Sequence, residues 1–206
     1  MRIAPFAAAL FAAGLVPGLA FADCATDTEI QTFVAAHQAK QPAKALSAGG
    51  SMDDALCSQA KLAVALESTM GRIIGFKAGL TSPPAQERFG VTEPVRGLLY
   101  ENMILHNGAQ VPTAFGAIPM VEADLILVVG DPAINNATTP AEVLAHVSAV
   151  HPFIELPDMA LAQGEPVNAV TLTAIGVAPR LGVMGAAIPV QNPSAMAMSL
   201  AEMSVT

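Results

Sequence analysis

The segment Met120-Val-Glu-Ala-Asp-Leu-Ile-Leu-Val-Val-Gly130 carries the longest apolar strand pattern of the chain. Alternate residues of a strand project from the same face, so Glu122 and Asp124 point to one side together. Two adjacent carboxylates repel each other and resist burial. Sharing a proton, or a hard cation such as Mg²⁺ or Mn²⁺, lowers this repulsion. The pattern leaves open the alternative that both acids lie on the solvent-facing side of an antiparallel strand.

Two further charged residues interrupt apolar runs. Glu155 stands within Phe153-Ile-Glu-Leu-Pro-Asp158, where an unpaired acid is costly to bury. Together with the two acids of the first segment it could complete one set of oxygen ligands. Lys77 follows the run Ile73-Ile-Gly-Phe76 and could orient a substrate carboxylate or stabilise an enolate. The alternative is a solvated lysine at the end of a strand.

Helical patterns come first along the chain and strand patterns dominate later. Helices are predicted at residues 27–40, 51–70 and 194–202, with a short helix after the cap Thr139. Strands are predicted at residues 72–79, 118–129, 147–156, 170–177 and 181–184. This order favours an α+β fold over a doubly wound parallel sheet.

Residues 1–22 have the pattern of a secretory signal peptide. Met1-Arg2 is a positive start, Phe6 to Leu19 is apolar, and Ala20-Phe-Ala22 supplies small residues at a cleavage site. The apolar stretch is shorter than the roughly 20 residues of a membrane-spanning helix. We therefore expect cleavage after Ala22, a single mature domain at residues 23–206, and an exported protein that is periplasmic or secreted and has no membrane association after cleavage.

Composition and motifs narrow the classes of protein to which the chain could belong. The chain is 53% hydrophobic and only 13% charged, and this composition disfavours a disordered protein. Its net charge is −8 and it has no basic run, which disfavours nucleic acids and anionic membrane surfaces as partners. Cys24 and Cys57 both lie in the exported part and are expected to form a disulfide, although two buried free thiols are the alternative. The sequence contains no nucleophile elbow, phosphate-binding loop or dinucleotide fingerprint.

Several motifs occur here together in a fixed order. They are Gly75-Phe-Lys-Ala-Gly-Leu-Thr-Ser82, Phe89-Gly-Val-Thr-Glu-Pro94, Gly97-Leu-Leu-Tyr100, Val121-Glu-Ala-Asp-Leu125 and Phe153-Ile-Glu-Leu-Pro-Asp158. In this order and spacing they resemble the 2-keto-4-pentenoate hydratase group of the fumarylacetoacetate hydrolase superfamily. The resemblance covers roughly residues 30 to 205.

The resemblance implies a fold, a metal site and a reaction. The fold would be α+β, with N-terminal helices followed by a mixed β-sheet or β-roll of the superfamily's C-terminal-domain type. Glu122, Asp124 and Glu155 would bind Mg²⁺ or Mn²⁺, and Lys77 would contact the substrate. The reaction would add water to a 2-hydroxy-2,4-dienoate and give a 4-hydroxy-2-oxo acid, as in aromatic catabolism. A homo-oligomer is expected.

Two features depart from the family pattern. Family members usually carry an Asn–Ala–Ser-like stretch where this chain has Ala174-Ile-Gly-Val-Ala-Pro179. They also continue beyond the point where this sequence stops, so we expect either a C-terminally shortened relative or a fragment of a longer chain. Two alternatives to the hydratase therefore remain. One is a decarboxylase or C–C hydrolase acting on a similar 2-oxo acid, and the other is a non-catalytic exported binding protein on the same scaffold.

Overall fold

The computed structural model describes residues 24–204, and its fold is α+β, as the sequence predicts. The predicted signal peptide and its cleavage site lie outside the described residues. The helices are α1 Asp27–Ala39, α2 Met52–Met70, α3 Pro83–Phe89, α4 Pro140–Ala145, α5 Ala169–Ala174 and α6 Pro193–Ala201. The strands are β1 Ile73–Gly79, β2 Val95–Tyr100, β3 Ile104–Leu105, β4 Glu122–Val129, β5 Val147–Leu156, β6 Leu181–Met184 and β7 Ile188–Pro189.

The two long N-terminal helices begin at reciprocal side-chain caps. Thr26 and Glu29 form a capping box at the start of α1, and Ser51 and Asp54 form one at the start of α2. The helices pack against each other through buried apolar side chains, which include Ile30, Phe33, Val34, Leu62 and Leu66. Leu98 and Tyr100 of β2 and Ala174 of α5 pack into the same cluster, which is the main core.

A disulfide joins the segment before α1 to α2. Cys24 and Cys57 are bonded, with a Cα–Cα distance of 5.6 Å, as expected from the even cysteine count. Beside it the Ala25 amide donates to the Ser58 hydroxyl at 2.7 Å. The start of α1 is therefore held against α2 by a covalent bond and a buried hydrogen bond.

The strands form two sheets. β1 and β2 make an antiparallel pair, and β3, β6, β5 and β4 make a mixed sheet in that order, with β7 paired to β5. β3 runs parallel to β6, whereas β5 is antiparallel to both β6 and β4. The mixed sheet that follows the helices is the architecture that the sequence predicts.

The prediction of a strand at residues 170–177 is wrong. Residues 169–174 form α5, because Asn168 and Thr171 make a capping box at its start. Five of its six residues are buried, and a fully buried apolar segment of this length has no periodicity that separates a strand from a helix. After the helix the chain turns through three successive residues with positive φ, namely Gly176 at 74°, Val177 at 60° and Ala178 at 54°.

β4 is an edge strand of the mixed sheet, and several of its apolar side chains are exposed. Val129 and Leu127 are examples, and Val121 just before the strand is 71% exposed. None of the helices between residues 24 and 204 has the length and the hydrophobicity that a membrane crossing requires.

Candidate active site

A cavity of about 550 Å³ lies between the β1–β2 pair and the β4–β5 pair. Its apolar lining includes Phe76, Leu99, Ile126 and Leu172. Its polar lining includes four side chains that the sequence singles out, namely Lys77, Glu122, Asp124 and Glu155. A cavity with apolar walls and a few convergent polar groups is the usual form of a small-molecule site.

The three predicted acids share one face of the mixed sheet. Glu122 is paired with Glu155 across the β4–β5 ladder, and Asp124 is paired with Phe153 two positions further along. Side chains directly opposite each other in an antiparallel pair have Cβ atoms roughly 5 Å apart on the same face. Alternation then places Asp124 on that face as well.

The burial of the three acids is unequal. Glu122 and Asp124 are exposed, whereas Glu155 is only 2% exposed. The two acids of β4 are therefore solvent-exposed, as the alternative interpretation of their strand expected. The face on which they stand also forms a wall of the cavity. Glu155 is the acid that needs a partner within the fold.

Lys77 supplies that partner. Its side chain is 7% exposed and forms an ion pair with Glu155 Oε1. The same ammonium donates to the Val177 carbonyl oxygen at 2.7 Å. Lys77 is therefore a buried, anchored cation at the cavity and not a solvated lysine at a strand end.

The electrostatics of Glu155 follow from its position. Burial raises the pKa of the Glu155 carboxyl above its usual range, and the Lys77 ammonium opposes this rise. The charges of Glu122 and Asp124 raise the pKa of Glu155 further, because like charges disfavour ionisation. A second cation near these three carboxylates would lower their mutual repulsion.

Carboxylate oxygens are suitable ligands for a hard divalent cation, and the three acids lie on one face of the sheet. Their side chains do not yet converge on a common point. Within residues 24–204, no three His, Cys, Asp or Glu side chains converge closely enough to hold a metal as they are placed. One oxygen of Glu155 is engaged by Lys77, and Asp124 Oδ1 accepts from the Leu125 amide at 2.7 Å. Glu122 and Asp124 are exposed, so their side chains can turn towards a shared ion without unpacking the core.

Two buried polar residues that were not predicted as site residues support the surrounding structure, namely Asp158, the last residue of the motif Phe153–Asp158, and Gln59. Asp158 is 2% exposed and accepts from the amides of Ala117 and Ile118 at 2.9 and 2.7 Å, which holds the segment that leads into β4. Gln59 of α2 donates to the carbonyl oxygens of Arg96 and Thr173 at 2.8 and 2.7 Å.

One polar group of the site, the carbonyl oxygen of Val177, could not be predicted from the sequence. It belongs to the backbone, so no residue type signals it. The segment 174–179 lacks polar side chains, yet it provides a hydrogen-bond acceptor to the buried lysine.

Comparisons with known proteins find similarity to 2-keto-4-pentenoate hydratases and related enzymes, and no family model matches the chain. It is 35% identical over 85 residues to the 2-keto-4-pentenoate hydratase of Paraburkholderia xenovorans (strain LB400), covering 41% of this chain and 32% of the hydratase. It is 33% identical over 96 residues to the 2-oxo-hept-4-ene-1,7-dioate hydratase of Escherichia coli, covering 46% of this chain and 36% of that hydratase.

The structure also matches a solved fold. The 4-oxalocrotonate decarboxylase from Pseudomonas putida G7, complexed with magnesium and adipate, superposes with a TM-score of 0.68 and 19% identity over 80% of this chain and 64% of the decarboxylase. This match shows the fold. The sequence matches confirm the resemblance to the hydratase group, and they span about a third of the length of the curated relatives.

Proposed function

We propose that this chain, a relative of the 2-keto-4-pentenoate hydratases with the fold of the fumarylacetoacetate hydrolase superfamily, is a divalent-metal-dependent hydratase. Its substrate would be a 2-hydroxy-2,4-dienoic acid, and its product a 4-hydroxy-2-oxo acid. One observation carries the proposal: three carboxylates on one sheet face and one buried lysine line the same apolar-walled cavity.

The three acids are the proposed metal ligands. Glu122, Asp124 and Glu155 would hold Mg²⁺ or Mn²⁺, whose preferred ligands are carboxylate oxygens. When bound, such an ion polarises the oxygens of a 2-oxo acid and stabilises negative charge that develops on them. The magnesium of the decarboxylase with the same fold supports a divalent ion here.

Lys77 is the proposed substrate-binding cation. Its ammonium is buried at the cavity wall, where a charged hydrogen bond to a substrate oxygen is stronger than in water. A protonated lysine donates hydrogen bonds and cannot be a metal ligand, so its role is towards the substrate. Positive charge that is fixed beside the developing enolate lowers the free energy of the transition state.

The apolar walls select the rest of the substrate. Phe76, Leu99, Ile126 and Leu172 surround the polar groups. They fit a short unsaturated hydrocarbon tail and keep bulk water away from the enolate. The acid end of the substrate would therefore face Lys77, and its diene would lie along the apolar side.

Decarboxylation of a similar 2-oxo acid is the second candidate. The matched fold belongs to a 4-oxalocrotonate decarboxylase, and another curated decarboxylase of that name is 33% identical over 87 residues. Both reactions pass through an enolate next to the carboxylate, so the same lysine and acids would serve either one.

A turnover assay separates these functions. The purified protein is mixed with Mn²⁺ and 2-hydroxypenta-2,4-dienoate or 4-oxalocrotonate, and water addition is followed by absorbance while CO₂ release is measured in parallel. A hydratase consumes the dienoate without CO₂, and chelation of the metal stops it. Release of CO₂ from 4-oxalocrotonate would favour the decarboxylase. Binding of metal and 2-oxo acids without conversion would favour the binding protein.

Export and assembly also belong to the proposal. We propose that the mature domain at residues 23–206 acts outside the cytoplasm, in the periplasm or after secretion, as its N-terminal signal pattern indicates. A homo-oligomer is proposed as well, and the exposed apolar side chains of β4 support it. Sedimentation of the purified mature protein measures the assembly, and a monomer would contradict it.

A further inference from the structure

The left-handed turn at Gly176–Ala178 places three successive residues of strained backbone beside the cavity. All three residues have positive φ, and only the first is a glycine. A β-branched residue such as Val177 avoids this region because its side chain crowds the backbone. Backbone strain of this kind persists where surrounding structure enforces it, and it is concentrated at functional sites.

Hydrogen bonds on both sides of the turn fix its shape. The Gly176 and Val177 amides donate to the carbonyl oxygens of Thr173 and Leu172 at 2.9 and 2.8 Å. The Ala178 carbonyl oxygen accepts from the Asp158 amide at 3.1 Å. The carbonyl between them, that of Val177, accepts from the Lys77 ammonium.

Two glycines of the β1–β2 pair make room for the turn. A Cβ on Gly79 would lie 2.6 Å from Val177 Cγ1. A Cβ on Gly97 would collide with the Gly176 carbonyl oxygen and would lie 2.6 Å from Lys77 Cγ. By contrast, a Cβ on Gly75 of the same pair would meet only Leu99, at an ordinary distance of 3.5 Å. The close approach is therefore specific to the turn.

We propose that the turn Gly176–Ala178 is a positioning element for Lys77, which it holds at the cavity through the Val177 carbonyl oxygen. The inference rests on the proposed function in one respect, since it assumes that the ammonium faces a substrate. The Val177 carbonyl is an acceptor that does not depend on Glu155. If Glu155 turns towards a cation, the lysine keeps this partner and stays in place.

This role also accounts for the departure of residues 174–179 from the family pattern. A segment without polar side chains can still orient a cation if its backbone is forced into a shape that aims a carbonyl at it. The left-handed conformation of Val177 and Ala178 is such a shape, and neither residue would adopt it by preference.

The test displaces the turn without touching Lys77. In Gly79→Ala the new methyl group pushes on Val177, whose stiff β-branched side chain cannot move aside easily. Gly75→Ala is the matched control on the same strand. The double variant Gly79→Ala/Val177→Ala removes the Cγ atoms that clash. The first readout is the acetylation rate of Lys77 by acetic anhydride in the metal-free full chain, measured by peptide mass spectrometry with Lys61 as internal reference.

We expect Lys77 to be acetylated several-fold faster in Gly79→Ala, at the parent rate in Gly75→Ala, and near the parent rate in the double variant. With substrate, Gly79→Ala should lower kcat by about tenfold while KM changes little, because one hydrogen bond that orients the ammonium is weakened. If Gly79→Ala does not fold, Val177→Gly replaces it. Its greater backbone freedom should loosen the turn and also speed acetylation.

A purely structural turn gives a different result. The melting temperature of Gly79→Ala would then fall while the acetylation of Lys77 stays at the parent rate, and this would overturn the proposal. A double variant that remains as reactive as Gly79→Ala would overturn it too. If the parent has no turnover with any 2-oxo acid, the proposed function fails, but the acetylation rates still decide whether the turn positions Lys77.

Discussion

Glu122 on β4 lies directly opposite Glu155 on β5 in the antiparallel ladder, yet one carboxylate is exposed and the other is buried. The buried acid is neutralised by Lys77 from the other sheet, whereas the exposed acid has its charge screened by water. This asymmetry gives the site one buried oxygen donor, Glu155, and two exposed ones, Glu122 and Asp124. A cation that arrives from solvent would meet Glu122 and Asp124 first.

Metal binding should stabilise the fold through these acids. An ion that binds the folded chain and not the unfolded one stabilises the fold. Mn²⁺ at about 100 times its Kd should therefore add about 2.7 kcal/mol to the free energy of unfolding. We expect Glu122→Gln/Asp124→Asn to abolish both this gain and Mn²⁺ binding, as measured by thermal melting and calorimetry. The control Asp53→Asn/Glu87→Gln removes the same charge from exposed positions elsewhere. An unchanged Mn²⁺ affinity in the first double variant would place the metal site elsewhere.

The disulfide should contribute strongly to stability, because it closes a loop between residues 33 positions apart. Loop-closure entropy gives at most about 3–4 kcal/mol for a loop of this size. We expect the double variant Cys24→Ala/Cys57→Ala to lose much of this in chemical denaturation while it keeps its helical circular dichroism. Intact mass provides the direct check, since reduction of the disulfide should add two hydrogen atoms to the chain. An unchanged mass after reduction would contradict the bond.

Local patterns predicted the face on which the acids stand. Alternation within residues 120–130 places Glu122 and Asp124 together, and this depends only on strand geometry. The register that brings Glu155 opposite Glu122 was not predictable, because it is set by a long-range pairing of β4 with β5. The burial of Lys77 depends in the same way on how two separate sheets meet.

The segment 170–177 shows that local patterns also failed to predict secondary structure at one place. Its apolar residues suggested a strand, but the capping box of Asn168 and Thr171 starts a helix at Ala169, and five of the six helical residues are buried. The left-handed turn that follows is enforced by neighbours such as Gly79 and Asp158, which are distant in sequence. Intrinsic preferences of Val177 and Ala178 would have predicted the opposite conformation.

His37 should make the fold sensitive to mild acid. Burial lowers the pKa of His37 from 6.5, and the nearby Arg180 lowers it further, while Asp158 and a hydrogen bond with Pro179 oppose the shift. The unfolded chain therefore binds a proton more readily than the folded chain. The contribution of neutral His37 to the free energy of unfolding is therefore fully present above pH 6.5 and is lost as the pH falls from there towards the lower folded-state pKa.

The measurement is urea unfolding between about pH 5 and about pH 7.5. One proton changes the slope of the unfolding free energy by up to about 1.4 kcal/mol per pH unit. His37→Phe should lose this part of the slope, whereas His106→Gln, a change at an exposed histidine, should keep it. Equal slopes in the parent and in His37→Phe would show that the acid sensitivity has another origin.

Replacing Lys77 should separate its charge from its packing. Lys77→Met keeps the apolar stem but leaves Glu155 buried without its cation, and breaking a buried pair in this way destabilises a protein by about 3–5 kcal/mol. The double variant Lys77→Met/Glu155→Gln should recover much of that stability, since no buried charge remains. Urea unfolding of the two variants checks this part.

The same substitution tests the catalytic role of Lys77. With 2-hydroxypenta-2,4-dienoate and Mn²⁺, we expect folded Lys77→Met to lose at least about two orders of magnitude in turnover, as enzymes do when one donor to a developing oxyanion is removed. Its Mn²⁺ affinity should stay within a few fold, because the ammonium is not a ligand. Lys61→Met, which breaks a more exposed ion pair with Asp27, is the matched control and should keep full turnover. If Lys77→Met converts the dienoate as fast as the parent does, the lysine neutralises Glu155 and has no part in the chemistry.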